Sequence, residues 1–153
     1  MNTLTFDAAA DFSSSPAATP VPIGATFGGV STMLRLEAAV VLTAAVLAYR
    51  ETGGSWWLFT GLFFVPDLSM LGYLANRKLG AALYNGGHTY LAPAALALLG
   101  WSQGLPQLFG PALIWAAHIG FDRLMGYGLK YGSAFGATHL GWRGKREGAV
   151  CGR

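Results

Sequence analysis

Residues 79–121 contain no Asp, Glu, Lys or Arg, an unbroken run of 43 residues. As one helix the run would be about 65 Å long at roughly 1.5 Å per residue, yet a bilayer core is about 30 Å thick. It must therefore fold back once. The stretch Gly100-Trp-Ser-Gln-Gly-Leu-Pro106 supplies the turn, with two glycines, a proline and two polar residues. The halves are residues 79–99 and about 108–128. Upstream, residues 55–75 carry only Asp67, and residues 33–49 carry Arg35 and Glu37 followed by twelve uncharged positions. The pattern predicts an all-α, polytopic membrane four-helix bundle with short loops.

Composition agrees. Charged residues make up 11% of the 153-residue chain, against roughly 25% in soluble domains. A water-soluble domain of this size needs more charge to cover its surface, so an ordinary soluble enzyme is excluded, as is a disordered protein. The formal net charge is +3, but basic residues gather in a short tail, and no nucleic-acid partner is expected. A lone cysteine, Cys151, excludes an internal disulfide and a cysteine-based zinc finger. Residues 1–32 hold Ser13-Ser-Ser-Pro16 and Thr19-Pro-Val-Pro22 with only Asp7 and Asp11 charged. They read as a disordered extension and not as a signal peptide, because no basic start precedes an apolar core. Residues 33–131 form the transmembrane domain and 132–153 a basic tail.

Loop charge sets orientation. Arg77 and Lys78 lie between the second and third spans, and Lys130, Arg143, Lys145, Arg146 and Arg153 follow the fourth. Lys and Arg collect on the cytoplasmic side, so both termini are expected inside, in a bacterial inner membrane. Trp56, Trp57 and Trp101 then fall at the outer interface and Tyr127, Tyr131 and Trp142 at the inner one, an aromatic belt at each face.

Within such a frame the polar residues carry information, because an intramembrane charge is expensive and faces the bundle interior. At about 1.5 Å per residue, Asp67 and His88 each lie roughly 13 Å from the cytoplasmic end of their helix, His118 roughly 15 Å and Asp122 roughly 9 Å. Arg35 and Glu37 lie nearer the surface. His118 and Asp122 are four apart and share a face, as do Tyr84, Asn85 and His88. Ala112, Ala116 and Gly120 form a small-residue stripe on the far side of the fourth helix, suited to close helix approach. Arg123 lies nearer that stripe than to His118. Pro66 should kink or break the second span, with Asp67 in the first turn of a restarted helix. A broken membrane helix exposes backbone that lines a cavity.

Neutral imidazoles with carboxylates suit zinc, iron or manganese, and Asp67, His88, His118 and Asp122 suffice for a metal with a reactive water. No His-Glu-x-x-His signature is present. Arg35, Arg123, Glu37, Asp67 and Asp122 sum to a charge of −1, which one protonated histidine closes, so a metal is allowed and not demanded. The same residues, with Asn85 and His139, can form a structural polar network. His139, beyond the fourth helix, either folds over the cytoplasmic mouth or is solvated.

Several blocks together resemble a bacterial integral-membrane family catalogued as domain of unknown function four-two-six-zero. They are Leu34-Arg-Leu-Glu37, Gly54-Ser-Trp-Trp57, Pro66-Asp-Leu-Ser-Met-Leu-Gly-Tyr73, Tyr84-Asn85 with His88-Thr-Tyr90, the block from Ala117-His-Ile-Gly-Phe-Asp-Arg to Lys130-Tyr131, and Thr138-His-Leu-Gly141. The resemblance implies a small bacterial integral membrane protein and supplies no activity, cofactor or substrate.

Three functional readings stand at this point. One is a structural or binding network in the cytoplasmic half of the bundle. Another is a metal-assisted hydrolase or transferase acting on a lipid or other amphiphile through Asp67, His88, His118 and Asp122. The third is a proton-coupled carrier, which needs a homo-oligomer to enclose a pathway.

Overall fold

The computed structural model describes Thr26, residues 28–132 and residues 136–142. Five α-helices follow in order: α1 (Gly28–Glu51), α2 (Trp56–Phe63), α3 (Arg77–Gly87), α4 (Leu91–Ser102) and α5 (Phe109–Met125). A 3-10 helix, Val65–Leu74, continues from α2, and a 3-10 turn, Pro106–Leu108, leads into α5. Two short strands, β1 (Ala137–Thr138) and β2 (Gly141–Trp142), pair antiparallel after α5. The other regular structure among the described residues is helical.

Two of the four expected helices are interrupted. The second breaks at Pro66, as its chemistry requires: proline has no amide hydrogen and its ring excludes a carbonyl one turn back. Asp67 N–H bonds Phe64 O at 3.2 Å instead, and the segment continues as ten residues of 3-10 helix with Asp67 in the first turn. Such runs are usually three or four residues long, and nothing in the hydropathy pattern announces this one. The reading of residues 79–99 as one helix is corrected. The segment divides at His88–Tyr90 into α3 and α4. Gly86 and Gly87 are poor helix formers, and Pro93 cannot donate to the Thr89 carbonyl. The first helix begins at Gly28 and not at residue 33. The remainder of the expected extension, residues 1–25 and 27, and the tail beyond Trp142 lie outside the described residues, as does Cys151.

α1 lies along α5, and Gly120 is the reason it can. A Cβ there would come within 3.0 Å of Ala38 O and Leu42 N, so the two backbones touch. Ala38, Ala45, Ala112 and Ala117 are buried with it. α3 folds onto the 3-10 helix and α4 packs on α5. At one end the Tyr49 ring packs against Trp56 and Phe59, and its hydroxyl donates to Ser55 O at 2.8 Å.

α5 ends in a Schellman motif. Gly126 takes φ +85°, its N–H bonds Arg123 O at 2.9 Å, and Tyr127 N–H bonds Asp122 O at 2.7 Å. The chain then turns back across α3. Asn85 clamps Lys130 at both backbone groups, accepting from its N–H at 2.7 Å and donating to its carbonyl at 2.9 Å. Thr26 N–H donates to His139 O at 2.8 Å, so the start of α1 and the segment after α5 meet at one end.

Two helices are long and apolar enough to cross a membrane, Gly28–Glu51 and Trp56–Leu74, and only 11% and 6% of their apolar windows are buried. The core helix of a soluble domain would be mostly buried. Large apolar side chains are exposed along every helix, Trp57 at 88% and Leu74 at 86% among them.

Candidate metal centre

Four side chains from three elements converge where the interrupted helices meet α5. Asp67 comes from the 3-10 helix just after Pro66. His88 is the C-cap residue of α3. His118 and Asp122 come from one face of α5. One ligand atom from each lies within 4.8 Å of every other. His88 Nε2 is 3.1 Å from His118 Nε2 and 3.4 Å from both Asp67 Oδ1 and Asp122 Oδ2. His118 Nε2 is 3.6 Å from Asp67 Oδ1 and 4.0 Å from Asp122 Oδ2. The imidazoles form the floor, with the His88 and His118 side chains 3% and 2% exposed. The carboxylates form the mouth, Asp122 at 15% and Asp67 at 41% exposed.

The surroundings fix the rings. His88 Nδ1 lies 2.9 Å from the Tyr84 carbonyl. A carbonyl only accepts, so Nδ1 carries the proton and Nε2 turns a lone pair toward the cluster. The Tyr84 ring stacks on His88 with centroids 3.8 Å apart, and its hydroxyl donates to Asp122 Oδ2 at 3.1 Å. Phe63 meets the His118 ring edge-on at 5.2 Å. Trp115 Nε1–H donates to Gly87 O at 2.7 Å, tying the α3–α4 break to α5.

Hydrogen bonds within the cluster cannot satisfy it. With neutral rings, His118 Nε2–H is the one proton its four ligand atoms can share. The buried His118 Nδ1 has no partner among the described residues in either tautomer. Three acceptors, two of them carboxylate oxygens, would still crowd together. A divalent cation resolves the excess of lone pairs and the charge of the two carboxylates together. The edge of a tetrahedron with bonds of about 2.0 Å is about 3.3 Å, close to the 3.1–3.4 Å that separate His88 Nε2 from the other three atoms. Two imidazoles and two carboxylates form a donor set for zinc, iron or manganese. The Nδ1–H contact of His88 and the Tyr84 hydroxyl on Asp122 are of the kind that orients metal ligands.

A cavity of about 440 Å³ adjoins the carboxylates, lined by Asp67, Met70, Tyr84, Asp122, Tyr127 and Lys130 among others. Lys130 is 8% exposed. Its Nζ lies 4.3 Å from the centroid of the Tyr84 ring and 5.2 Å from that of Tyr73. Burial lowers its pKa below the ordinary lysine value, while Asp122 and Asp67 pull it back.

The other expected network residues stand apart. Arg123 stacks on the Tyr90 ring at 4.4 Å, and with Glu37 and His139 it borders a separate small cavity. The buried Arg35 Nε has no partner among the described residues, so its expected reach to Asp67 or Asp122 is not found. Asn85 holds Lys130. His139 is neither a fifth ligand nor a solvated tail residue: its Nδ1 accepts from Leu129 N–H at 2.8 Å. Burial, with the Arg123 charge nearby, lowers its pKa below the usual histidine value. Nothing in the sequence marks Lys130 as a site residue, where it is one more basic residue after the long uncharged run. Tyr84 was legible only as a face-mate of His88.

Neither a curated protein nor a solved structure matches the chain. A family model does, over residues 31–142, a stretch that contains all four cluster residues and the clamped segment after α5. The chain therefore belongs to the family described as Domain of unknown function (DUF4260).

Proposed function

We propose that this protein is a bacterial inner-membrane enzyme of four spans that uses a divalent metal to hydrolyse or transfer a group on a lipid or other amphiphile. The observation that carries this reading is the set of four convergent donors beside a cavity. Lengths support the spans. At about 1.5 Å per α residue and about 2.0 Å per 3-10 residue, Trp56–Leu74 extends roughly 32 Å, as does Pro106–Met125, and the bilayer core is about 30 Å. α1 and the broken α3–α4 pair are at least as long. The exposed apolar side chains along each helix suit lipid contact.

A divalent ion would polarise a bound water or a substrate oxygen. His88, His118 and Asp122 would hold the ion on the buried side. Tyr84 orients Asp122. Asp67, the most exposed of the four, stands at the cavity wall, where it would either complete the donor set or accept a proton from a water in that position.

Elemental analysis of protein purified in mild detergent tests this reading. About one zinc, iron or manganese per chain is expected, and restoring metal to chelated protein should raise thermal stability by ligand linkage. Metal-free protein that zinc does not stabilise would overturn the metal centre and leave a structural network. For topology, a reporter fused after Arg153 should read cytoplasmic and one near Gln103 external. The opposite pair of readings would overturn the orientation.

A further inference from the structure

We propose, building on the metal-centre reading, that the adjoining cavity takes an amphiphile by an anionic phosphoester headgroup held between the metal centre and the Lys130 ammonium. The two carboxylates, Asp67 and Asp122, neutralise a divalent ion. The ion and the Lys130 ammonium then stand at one cavity, and an anion suits both. A phosphoester offers two non-bridging oxygens, one for each positive centre, the arrangement by which metals and lysines clamp phosphoryl groups.

Lys130 is built into this position. A lysine just past a membrane helix ordinarily extends its ammonium into water. Here Asn85 holds the residue at both backbone groups, a bridge joins it to Thr138, and the ammonium rests over the Tyr84 and Tyr73 rings. The ring that supports Lys130 is the one that stacks on His88 and bonds Asp122, so the cation and the metal ligands share Tyr84 as a common wall. The volume of about 440 Å³ is at the low end for ligand pockets. It admits a headgroup and the first carbons of a chain. Apolar Met70 and the tyrosines line the rest.

Calorimetric titration of the zinc-loaded full chain in detergent tests the proposal, with dihexanoyl phosphatidate, dihexanoyl glycerol, hexanoate, glycerol 3-phosphate and inorganic phosphate as probes. Dihexanoyl phosphatidate should bind at least tenfold more tightly than the neutral glycerol of equal chain length, and more tightly than hexanoate. Lys130→Met should erase that tenfold preference while zinc content stays at the wild-type value, and Lys130→Arg should keep most of it. Equal binding of the neutral lipid or of hexanoate by the wild type overturns the proposal without any variant. So does an unchanged preference in zinc-loaded Lys130→Met. Inorganic phosphate or glycerol 3-phosphate binding as tightly as the lipid would overturn the amphiphile in favour of a soluble phosphate. Absence of zinc from the wild type is a separate outcome, and it removes the underlying metal centre.

Discussion

α1 and α5 run unbroken and meet through small residues, whereas the two segments that complete the cluster, α2 with its 3-10 helix and α3 with α4, are both interrupted. The continuous pair is held by backbone proximity at Gly120 and buried alanines. The interrupted segments each give one residue of the cluster, and each gives it at the break: Asp67 directly after Pro66, His88 as the cap that ends α3. α5 gives two ligands without interruption, because four-residue spacing already aligns His118 with Asp122. The difference teaches that helical periodicity can supply a pair of ligands from one helix. The remaining two come from broken helices, whose freed carbonyls must find donors in apolar surroundings. Gly87 O finds its donor in Trp115 of α5, and Tyr84 O, which accepts the His88 N–H, also takes the His88 Nδ1–H and so fixes that ring.

That contrast can be broken most severely at the ligands. His88→Ala and His118→Ala should each lower zinc affinity by more than about 100-fold, exceeding the loss typical of an outer-sphere contact. The metal-free variants should melt no lower than the metal-free wild type, since removing a ring relieves crowded acceptors. Detergent melts with chelator and zinc titrations measure both. A large loss of stability without metal would mark a structural network instead.

The continuous pair should respond in the opposite sense. Gly120→Val forces a side chain onto the α1 backbone and should destabilise the fold by about 1–3 kcal/mol, with zinc affinity of the folded fraction nearly unchanged. Denaturation in mixed micelles reads the first and zinc titration the second. Tyr84→Phe sharpens the comparison on the ligand side. It deletes the bond to Asp122 and keeps the stacked ring, so zinc affinity should fall about tenfold while the metal-free melting temperature moves little.

The smallest effect is expected at His139. Its pKa in the folded protein is lowered, so the unfolded chain takes up the proton first as pH falls. The stabilisation is complete above the unfolded value of about 6.5 and declines as pH drops below it. Protonating Nδ1 also removes the acceptor for Leu129 N–H. His139→Gln should therefore flatten part of the fall in melting temperature between about pH 7 and pH 5. An identical slope in both proteins would contradict the pinned, neutral histidine.

Much of this was legible in the chain. The uncharged run, the turn near Gly104 and the break at Pro66 follow from composition and proline chemistry, and the shared depth of Asp67, His88 and His118 follows from spacing. The break at His88 was less visible, because Gly86, Gly87 and Pro93 also occur within intact membrane helices and only the packing of Trp115 on Gly87 makes the interruption plain. Arg35 and Glu37 looked like partners by depth, but depth carries no rotation about the helix axis, and the approach of α1 at Gly120 leaves them away from the cluster. Lys130 reaches the cavity through long-range bonds to Asn85, 45 residues away, and no local pattern encodes that.

X-ray absorption at the zinc edge of the metal-loaded protein tests the four-ligand centre most directly. A first shell of nitrogen and oxygen alone at about 2.0 Å, with outer scattering from two imidazoles in the wild type and from one in His118→Ala, is expected. A sulfur in the shell, or imidazole scattering unchanged by that substitution, would contradict it.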